Sequence, residues 1–424
     1  MANATSSSIY EKLSIIKNDR EVSLEGKTTS FDYYESLLSP NITATMTFLD
    51  TGNAIEDLNE GKGRRGTIYN SLPITGGESI KFKISSRLGV LENTLKVNAA
   101  INLNQESQRE SVALSLVSKE GLENHNIVTS EKHNGNIGVS VKRILKNKFN
   151  LRDGDIDVDE TSNSYSFTGK NDTPFDLMLY LASVSNAPSP SNPGYFFYQT
   201  KEGYKFKSID KLIVQEPKGK YVYSGAIRAS TVETLNDNKI IKFSIDKNQN
   251  VVNAMKSGVY ESRNIFYNPL TQEVSDRVYR LKNNQLKVSL GRDIDYSPVE
   301  SNNNYSRIHE HILDVGLNSS GISKSINNDP RDYLPQASMR YNLLMSQVAN
   351  VMIPCNPNLM AGDVIECNFE KITTSEKELG FLDFNQSGKY LILNLCHHFD
   401  PQRSYTALTL VRDSFGIYTN KNKN

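Results

Sequence analysis

The sequence contains no tryptophan, only three cysteines and no net charge. Lysine plus arginine number 48, as do aspartate plus glutamate. That balance argues against a nucleic-acid coat, against specific nucleic-acid binding and against a polybasic membrane binder. No apolar run reaches the roughly 18 residues that a membrane-spanning helix needs, so no membrane span is expected. The first thirty residues lack the basic start and apolar core of a signal peptide. Cys355, Cys367 and Cys396 all fall in one late stretch, and an odd count without a secretion signal reads as reduced thiols packed as small apolar side chains. The expectation is a chain made and folded in a cytoplasm. No Gly-x-Ser-x-Gly elbow occurs, and no paired Cys-x-x-Cys supports a zinc site.

What is there reads most clearly from Gln336 to Val411. Tyr341, Leu344, Met345 and Val348 fall at i, i+3, i+4 and i+7, which predicts a helix lying on a core. Val351-Met352-Ile353 is a short apolar run cut by Pro354, which cannot donate to a ladder. Pro357 to Gly362 make a turn, after which Ile365, Cys367 and Phe369 alternate with Val364, Glu366 and Asn368. Tyr390–His398 and Ser404–Arg412 are joined by Phe399-Asp-Pro-Gln-Arg403, which suits a hairpin connection.

With 424 residues, the chain is expected to divide into two to four domains. The first twenty residues are polar and read as mobile, or as docked on a partner. Ile42, Ala44, Met46 and Phe48 then alternate with Thr43, Thr45 and Thr47, the mark of a strand with one wet face. Ile80–Ile84, Leu95–Ile101 and Val112–Val117 add strands, and the set suggests a small antiparallel barrel ending near Ser118. The period then changes. Asn136–Phe149 carries an apolar stripe with basic residues towards its C-terminal end, where the helix dipole favours them. Thr173 and Pro174 suit the cap and first turn of a second helix. Tyr195–Gln199 and Tyr204–Phe206 flank Lys201-Glu-Gly203 as a compact hairpin. From Tyr221 to Tyr267 the reading returns to β, with no helical stripe between Ile240 and Tyr260. Tyr267-Asn-Pro-Leu-Thr is a turn. Arg277–Tyr305 holds weak strand signals, and Asn318–Asp332 reads as a loop. No solenoid repeat is visible, though barrel-like ends flanking a middle module hint at duplication.

Four clusters invite chemistry. Gly61-Lys-Gly-Arg-Arg-Gly66 matches a dinucleotide-binding glycine pattern, but no strand precedes it and no helix follows, so it reads as a basic loop. Asp153, Asp155, Asp157 and Asp159 resemble the opening of a calcium loop, yet Val158 and Ser164 stand where glycine and glutamate are required. The better reading is an exposed strand with Ile156 and Val158 inward. His309 and His311 are two apart and share a face if they lie on a strand, so a zinc site is conceivable there. His397 and His398 are adjacent and point to opposite faces. Polar residues on half-exposed strands are the favoured reading for both pairs. The expectation is therefore no catalytic, cofactor-binding or metal-ligating residue, no cofactor and no enzyme.

Several of these stretches carry a resemblance. Met339-Arg-Tyr-Asn-Leu-Leu344 opens the late helix, and Asn358-Leu-Met-Ala-Gly-Asp-Val-Ile365 supplies a "Leu-x-x-Gly-Asp-x-Ile" turn and strand. Ser387-Gly-Lys-Tyr-Leu-Ile392, His397 or His398, and Tyr405–Asp413 complete the unit. Thr173-Pro-Phe-Asp-Leu-Met-Leu-Tyr180, Gly194-Tyr-Phe-Phe197, Lys256-Ser-Gly-Val-Tyr260 and Tyr267-Asn-Pro-Leu-Thr271 extend the match over most of the chain. In these motifs the chain resembles the baseplate hub protein of contractile-tailed bacteriophages, related to the hub part of type VI secretion spikes.

The resemblance implies a mainly β fold with α/β modules: two antiparallel tube-like β-barrel domains joined by smaller α/β domains. The expected division is 1–118 for the first barrel, 119–210 for an α/β middle module, and 211–260 with 336–415 for a discontinuous second barrel. Residues 261–335 form an inserted or excursive region. The implied function is a homotrimeric ring that adapts a six-fold tail tube to a three-fold central spike and lets the genome pass. The implied partners are the spike, the tail tube, the tape-measure protein and baseplate wedge proteins, in a virion assembled in the host bacterial cytoplasm. The hub of a headless contractile particle, type VI or tailocin-like, shares every motif. A tail-associated hydrolase is the alternative from another class.

Overall fold

The computed structural model describes residues 7–52, 55–56, 65–106, 108–188, 192–223, 237–248, 250–269, 271–281, 288–292, 307–313, 329–371 and 381–417. It is 48% strand and 19% helix, so the chain is mainly β, built on large antiparallel sheets.

The first unit contains β1 (Ile9–Lys17), β2 (Arg20–Ser23), β3 (Thr28–Ser36), β4 (Thr43–Asp50), β5 (Ser79–Ser86), β6 (Gly89–Glu106) and β7 (Arg109–Val117). Alternation places Ala44, Met46 and Phe48 inward on β4 and Ile80, Phe82 and Ile84 inward on β5, all essentially buried. The strands run β3-β4-β7-β6-β5-β1-β2 around this core. Here the reading of the first twenty residues is corrected: β1 pairs with β2 and β5, and its Leu13 and Ile15 are fully buried. The serine-rich start masked a strand whose apolar register spans only Leu13 and Ile15.

After a short helical turn at Lys119–Asn124, the middle module continues with α1 (Ile137–Phe149), capped by Asn136, whose side chain accepts from the Val139 amide. A strand β8 (Ile156–Val158) and α2 (Pro174–Val184) follow, the latter capped by Thr173 with Pro174 in its first turn. The hairpin of β9 (Tyr195–Thr200) and β10 (Gly203–Ser208) and the short helix α3 (Ile209–Ile213) complete it. Gly203 sits at φ +117°, where an added Cβ would lie 2.3 Å from the Asp155 carbonyl oxygen, so no side chain fits there. The aspartate run is not an exposed strand throughout. Asp153–Asp155 form a 3₁₀ turn, and only Ile156–Val158 extend, in parallel with β10.

Next come β11 (Lys220–Tyr223), β12 (Lys242–Asn248), the helix α4 (Val251–Lys256), β13 (Glu261–Asn268), β14 (Glu273–Arg280) and β15 (Ile308–Ile312). The helix α4 was not legible from its composition; Asn250 caps it. The last three strands form their own sheet in the order β14-β13-β15. Of the weak strand signals after Leu281, residues 282–287 and 293–305 lie outside the described residues, as do residues 318–328 of the anticipated loop.

The helix α5 spans Leu334–Leu344, shorter than the stripe suggests, because Gln347 already begins β16 (Gln347–Pro354) and claims Val348. Strands β17 (Val364–Phe369), β18 (Gly388–Phe399) and β19 (Ser404–Arg412) follow. β17 pairs with β11 in parallel and with β18 antiparallel, while β12 pairs with β16, β16 with β19 and β19 with β18. Their shared core joins Ala349, Val351, Ile365, Tyr390, Leu391, Leu408 and Leu410.

The two β units follow one plan. The antiparallel path β5-β6-β7-β4-β3 recurs as β17-β18-β19-β16-β12. Gly77 (φ +84°) precedes β5 and Gly362 (φ +88°) precedes β17. The Gly77 amide donates to Val97 (2.7 Å) and the Val97 amide to Glu78 (2.8 Å); likewise Gly362 donates to Ile392 (2.9 Å) and Ile392 to Asp363 (2.9 Å). Glu78 pairs with Lys17 and Asp363 with Lys218, both at 3.0 Å. A bulge follows Val97 in β6 and Ile392 in β18. The plans diverge at one strand: β1 lies antiparallel to β5, whereas β11 lies parallel to β17.

Candidate functional site at the junction of the two β units

The units meet in a single ladder. The first half of β18, Gly388–Leu391, pairs with β17, and its second half, Asn394–Phe399, pairs antiparallel with Ser36–Phe31 of β3. The sheet is therefore continuous through both units.

Alternation along β3 directs Phe31, Tyr33 and Glu35 inward. An acid in that register must find donors or stay protonated. Glu35, 2% exposed, finds three. Its Oε1 accepts from the Lys201 amide (2.7 Å) and the Tyr33 hydroxyl (3.0 Å), and its Oε2 accepts from the Ala361 amide (3.0 Å). Lys201 lies in the β9–β10 turn and Ala361 in the turn before β17, so one carboxylate ties the first unit, the middle module and the second unit together. The Lys201 ammonium donates to the Pro357 carbonyl of that same turn. Burial pushes the Glu35 carboxyl up to about 7 against the pull of its donors, and burial lowers Lys201.

The paired histidines lie here too, on opposite sides of the sheet as their adjacency predicts. His397 is not on a half-exposed face: it is 1% exposed, hydrogen-bonded through Nδ1 to Thr406 Oγ1 (2.9 Å) and stacked on Tyr33. Burial, with Lys201 nearby, drops it to about 3, so the ring is neutral. The side-chain register is what composition could not convey, since the covering layer comes from β3. His398 faces outward and bridges Asp32 Oδ1 (2.6 Å) and Asp400 Oδ2 (3.3 Å), with its ring on Tyr405. The Asp32 carboxylate raises its pKa despite partial burial. Cys396 Sγ lies 3.8 Å from the same Asp32 oxygen, and burial lifts its thiol to about 12. All three cysteines are free, Cys355 and Cys367 buried.

The other clusters lie elsewhere. His309 and His311 do share a face of β15, with rings nearly parallel at 6.0 Å. His311 also stacks on Phe266 and reaches Asn264 (3.3 Å). Burial lowers both imidazoles. Asp159 is buried and held by Lys207 (3.0 Å), Lys211 (3.1 Å) and the Ser208 amide (3.1 Å), a structural clasp within the middle module. Of the glycine-rich loop, Gly61–Arg64 lie outside the described residues, and Arg65–Gly66 form a two-residue strand rather than a helix start. Among the described residues, no group of three or more His, Cys, Asp or Glu side chains is placed to hold a metal ion. No described helix is long and apolar enough to cross a membrane.

Sequence reading missed Glu35 and Asp32. The signal was there for Glu35: an acid at the third inward position of a strand whose other two are Phe31 and Tyr33. Asp32 had none, because its histidine partner lies 366 residues away.

No protein-family model and no curated protein matches the sequence. Solved structures do. A tail protein from Neisseria meningitidis MC58 aligns with TM-score 0.55 at 10% identity, covering 96% of both chains. The 43 kDa tail protein of prophage MuSo2 from Shewanella oneidensis aligns with TM-score 0.54 at 8% identity, covering 96% of this chain and all of that one. A chain of the Francisella PdpA–VgrG complex aligns with TM-score 0.51 at 9% identity, over 99% of this chain and 55% of the other. Over nearly its whole length, the chain has the fold of these two tail proteins and of the matching part of that complex.

Proposed function

We propose that the chain is a structural tail hub, a virion component without enzymatic activity. Three copies close a ring that adapts a six-fold tail tube to a three-fold central spike and leaves a passage for the genome. The observation that carries this reading is the repeated plan: β3 to β7 and β12 with β16 to β19 are two versions of one unit, fused through one ladder. Three copies of a chain with two like units present six similar faces on one side while keeping three-fold symmetry on the other. The proposed partners follow from that geometry and from the resemblance: the tail tube above, the spike below, and the tape-measure and wedge proteins around them. The fold likeness to two tail proteins, one of them from a prophage, supports the reading.

The proposed division places 1–118 in the first β-barrel domain, 119–210 in the middle module, 211–260 with 336–415 in the second barrel, and 261–335 in the excursion. Separate apolar cores support it, one centred on Phe31, Phe82 and Leu114, another on Ile365, Leu391 and Leu410, and a third on Val141, Phe175 and Phe206.

Native mass spectrometry tests the assembly: a trimer is expected, alone or with the spike, and a stable dimer would sink the reading. Imaging of particles with the protein labelled should place it at the tail tip. The likeness to the VgrG-containing complex favours a second reading, the hub of a headless injection particle, which the same imaging separates by the absence of a capsid.

A further inference from the structure

The repeated plan leaves two strand edges unmatched, and they are counterparts of the two that join the units within the chain. In the second unit, β18 pairs with β17 through its first half and with β3 through its second. Its counterpart β6 pairs with β5 only from Gly89 to Lys96. Beyond Val97, the outer edge of β6 has no partner strand among the described residues. In the first unit, β3 lies between β4 and β18. Its counterpart β12 pairs with β16 on one side and ends the sheet on the other, again among the described residues.

The β6 edge has neither the charged side chains nor the proline that usually protect a free edge, and β12 keeps its charges, Lys242, Asp246 and Lys247, outside Phe243–Ile245. From Asn98 to Gln105 the sequence is Asn-Ala-Ala-Ile-Asn-Leu-Asn-Gln, with no charge and no proline. Ile101 is 58% and Leu103 39% exposed. A long, uncharged, partly apolar free edge is a template for pairing with another chain.

We propose that β12 of one copy pairs antiparallel with the outer half of β6 of the next copy, repeating between chains the β3–β18 ladder seen within one. This rests on the trimeric hub reading and names the strands that close its ring. The occupant is a second copy because the chain already contains the joint, built from the counterparts of both edges.

The ladders set the register. Leu114 of β7 faces Ala100 of β6 and Met46 of β4; Leu408 of β19 faces Leu395 of β18 and Val351 of β16. Met46 faces Phe31 and Val351 faces Phe243, so Phe243 is the counterpart of Phe31, Ser244 of Asp32 and Ile245 of Tyr33. On β6, Leu103 faces Val112 as His397 on β18 faces Thr406, which makes Leu103, Asn104 and Gln105 the counterparts of His397, His398 and Phe399. Within the chain the pairs are Phe31 with Phe399, Asp32 with His398 and Tyr33 with His397. Between copies they become Phe243 with Gln105, Ser244 with Asn104, and Ile245 with Leu103. Tyr33 and His397 are buried by their pairing. Leu103 and Ile245, in the equivalent place, are partly exposed in the single chain and become covered in the ring.

The test is a chain carrying Asn104→Cys and Ser244→Cys, oxidised mildly, with disulfides mapped by mass spectrometry and oligomers read in native spectra. The expected result is a 104–244 bond between copies and a covalently closed trimer, with no such bond when Ile101→Cys replaces Asn104→Cys. Trimers that form without the 104–244 bond overturn this pairing and leave the hub reading standing. A chain that stays monomeric, alone and when co-expressed with its own tail-tube and spike proteins, overturns both. Leu103→Lys gives an independent readout. It should convert trimer to monomer with an unchanged circular dichroism spectrum, and a persistent trimer counts against the pairing.

Discussion

Glu35→Gln isolates the carboxylate that ties three parts of the chain together. Folding moves this group from an ordinary carboxylate value, 4.5, to about 7. A raised carboxyl binds more protons folded than unfolded between those values, so its contribution to stability falls as pH rises from 4.5 to 7 and is flat on either side. At 1.36 kcal/mol per unit, the change amounts to about 3 kcal/mol. Glutamine does not titrate. The stability of the native chain minus that of the variant should therefore fall by about 3 kcal/mol from pH 4.5 to pH 8. Other titrating groups cancel in that difference. The variant is not free of cost, because its amide sets an N–H against the Ala361 N–H, and a buried donor left unmatched costs about 1–3 kcal/mol at every pH. The assay is amide hydrogen exchange at Lys201 and Ala361, the two backbone donors to Glu35, corrected for intrinsic exchange and compared between native chain and variant across that pH range. A difference that does not change with pH would refute the reasoning, since it would mean that Glu35 titrates alike in the folded and unfolded chains.

Asp32→Asn removes the carboxylate that most raises His398, so the ring's pKa, followed by NMR, should move down. His398 stabilises the fold below its unfolded value near 6.5 and ceases to as pH rises through its raised folded value, so the native chain's advantage over Asp32→Asn should shrink over that window. Arg340 on α5 and Asp210 on α3 form an ion pair at 2.5 Å, with both side chains about 4% exposed or less. Arg340→Met strands the aspartate and should cost about 3–5 kcal/mol in denaturant unfolding of that region, much of it regained with Asp210→Asn. Gly362→Ala and Gly77→Ala test the repeated turn. Both need positive φ, but a Cβ at 362 would lie 2.4 Å from the Tyr198 hydroxyl, whereas one at 77 meets nothing within 4 Å. Thermal unfolding should show the 362 variant to be the more destabilised, with the 77 variant losing only about 1 kcal/mol of stability to backbone strain.

What could be read from the residues was whatever local pattern controls. The cap at Thr173, the Gly203 hairpin and the alternation of β4 need only their neighbours in sequence, and they stand as read. The misses share a cause. Val348 continues the stripe of α5, but its backbone is claimed by β19, more than sixty residues away, so strand pairing ends the helix early. Leu13 and Ile15 are too few to announce a strand, yet β5 buries both. The burial of His397 comes from Tyr33, which no spacing rule connects to it. The absence of any site residue was an expectation about function, and neither alternation nor composition bears on the pair of edges that the fold leaves open.

The two joints of the proposed ring differ in a way that fits how each is made. The joint inside the chain holds its charges close: Asp32 with His398 and Asp400, and Glu35 among amide donors from two other parts of the chain. Covalent linkage brings those groups together at high effective concentration, so the desolvation of a buried acid is tolerated at no cost in assembly. The joint between copies must form from separate molecules. Its counterpart positions hold Ser244 and Asn104 in place of Asp32 and His398, and Ile245 and Leu103 in place of Tyr33 and His397. The paired positions Phe243–Ile245 and Leu103–Gln105 carry no charge, so no ion pair between them has to be desolvated before the ladder forms, and burial of Ile245 against Leu103 sets its register. The same plan thus yields a joint that specifies the fold within the chain and a plainer one that recurs between chains. In that account the polar residues concentrated at Asp32, Glu35, His397 and His398 mark where the two units were fused, and the plain run from Asn98 to Gln105 marks where the ring closes.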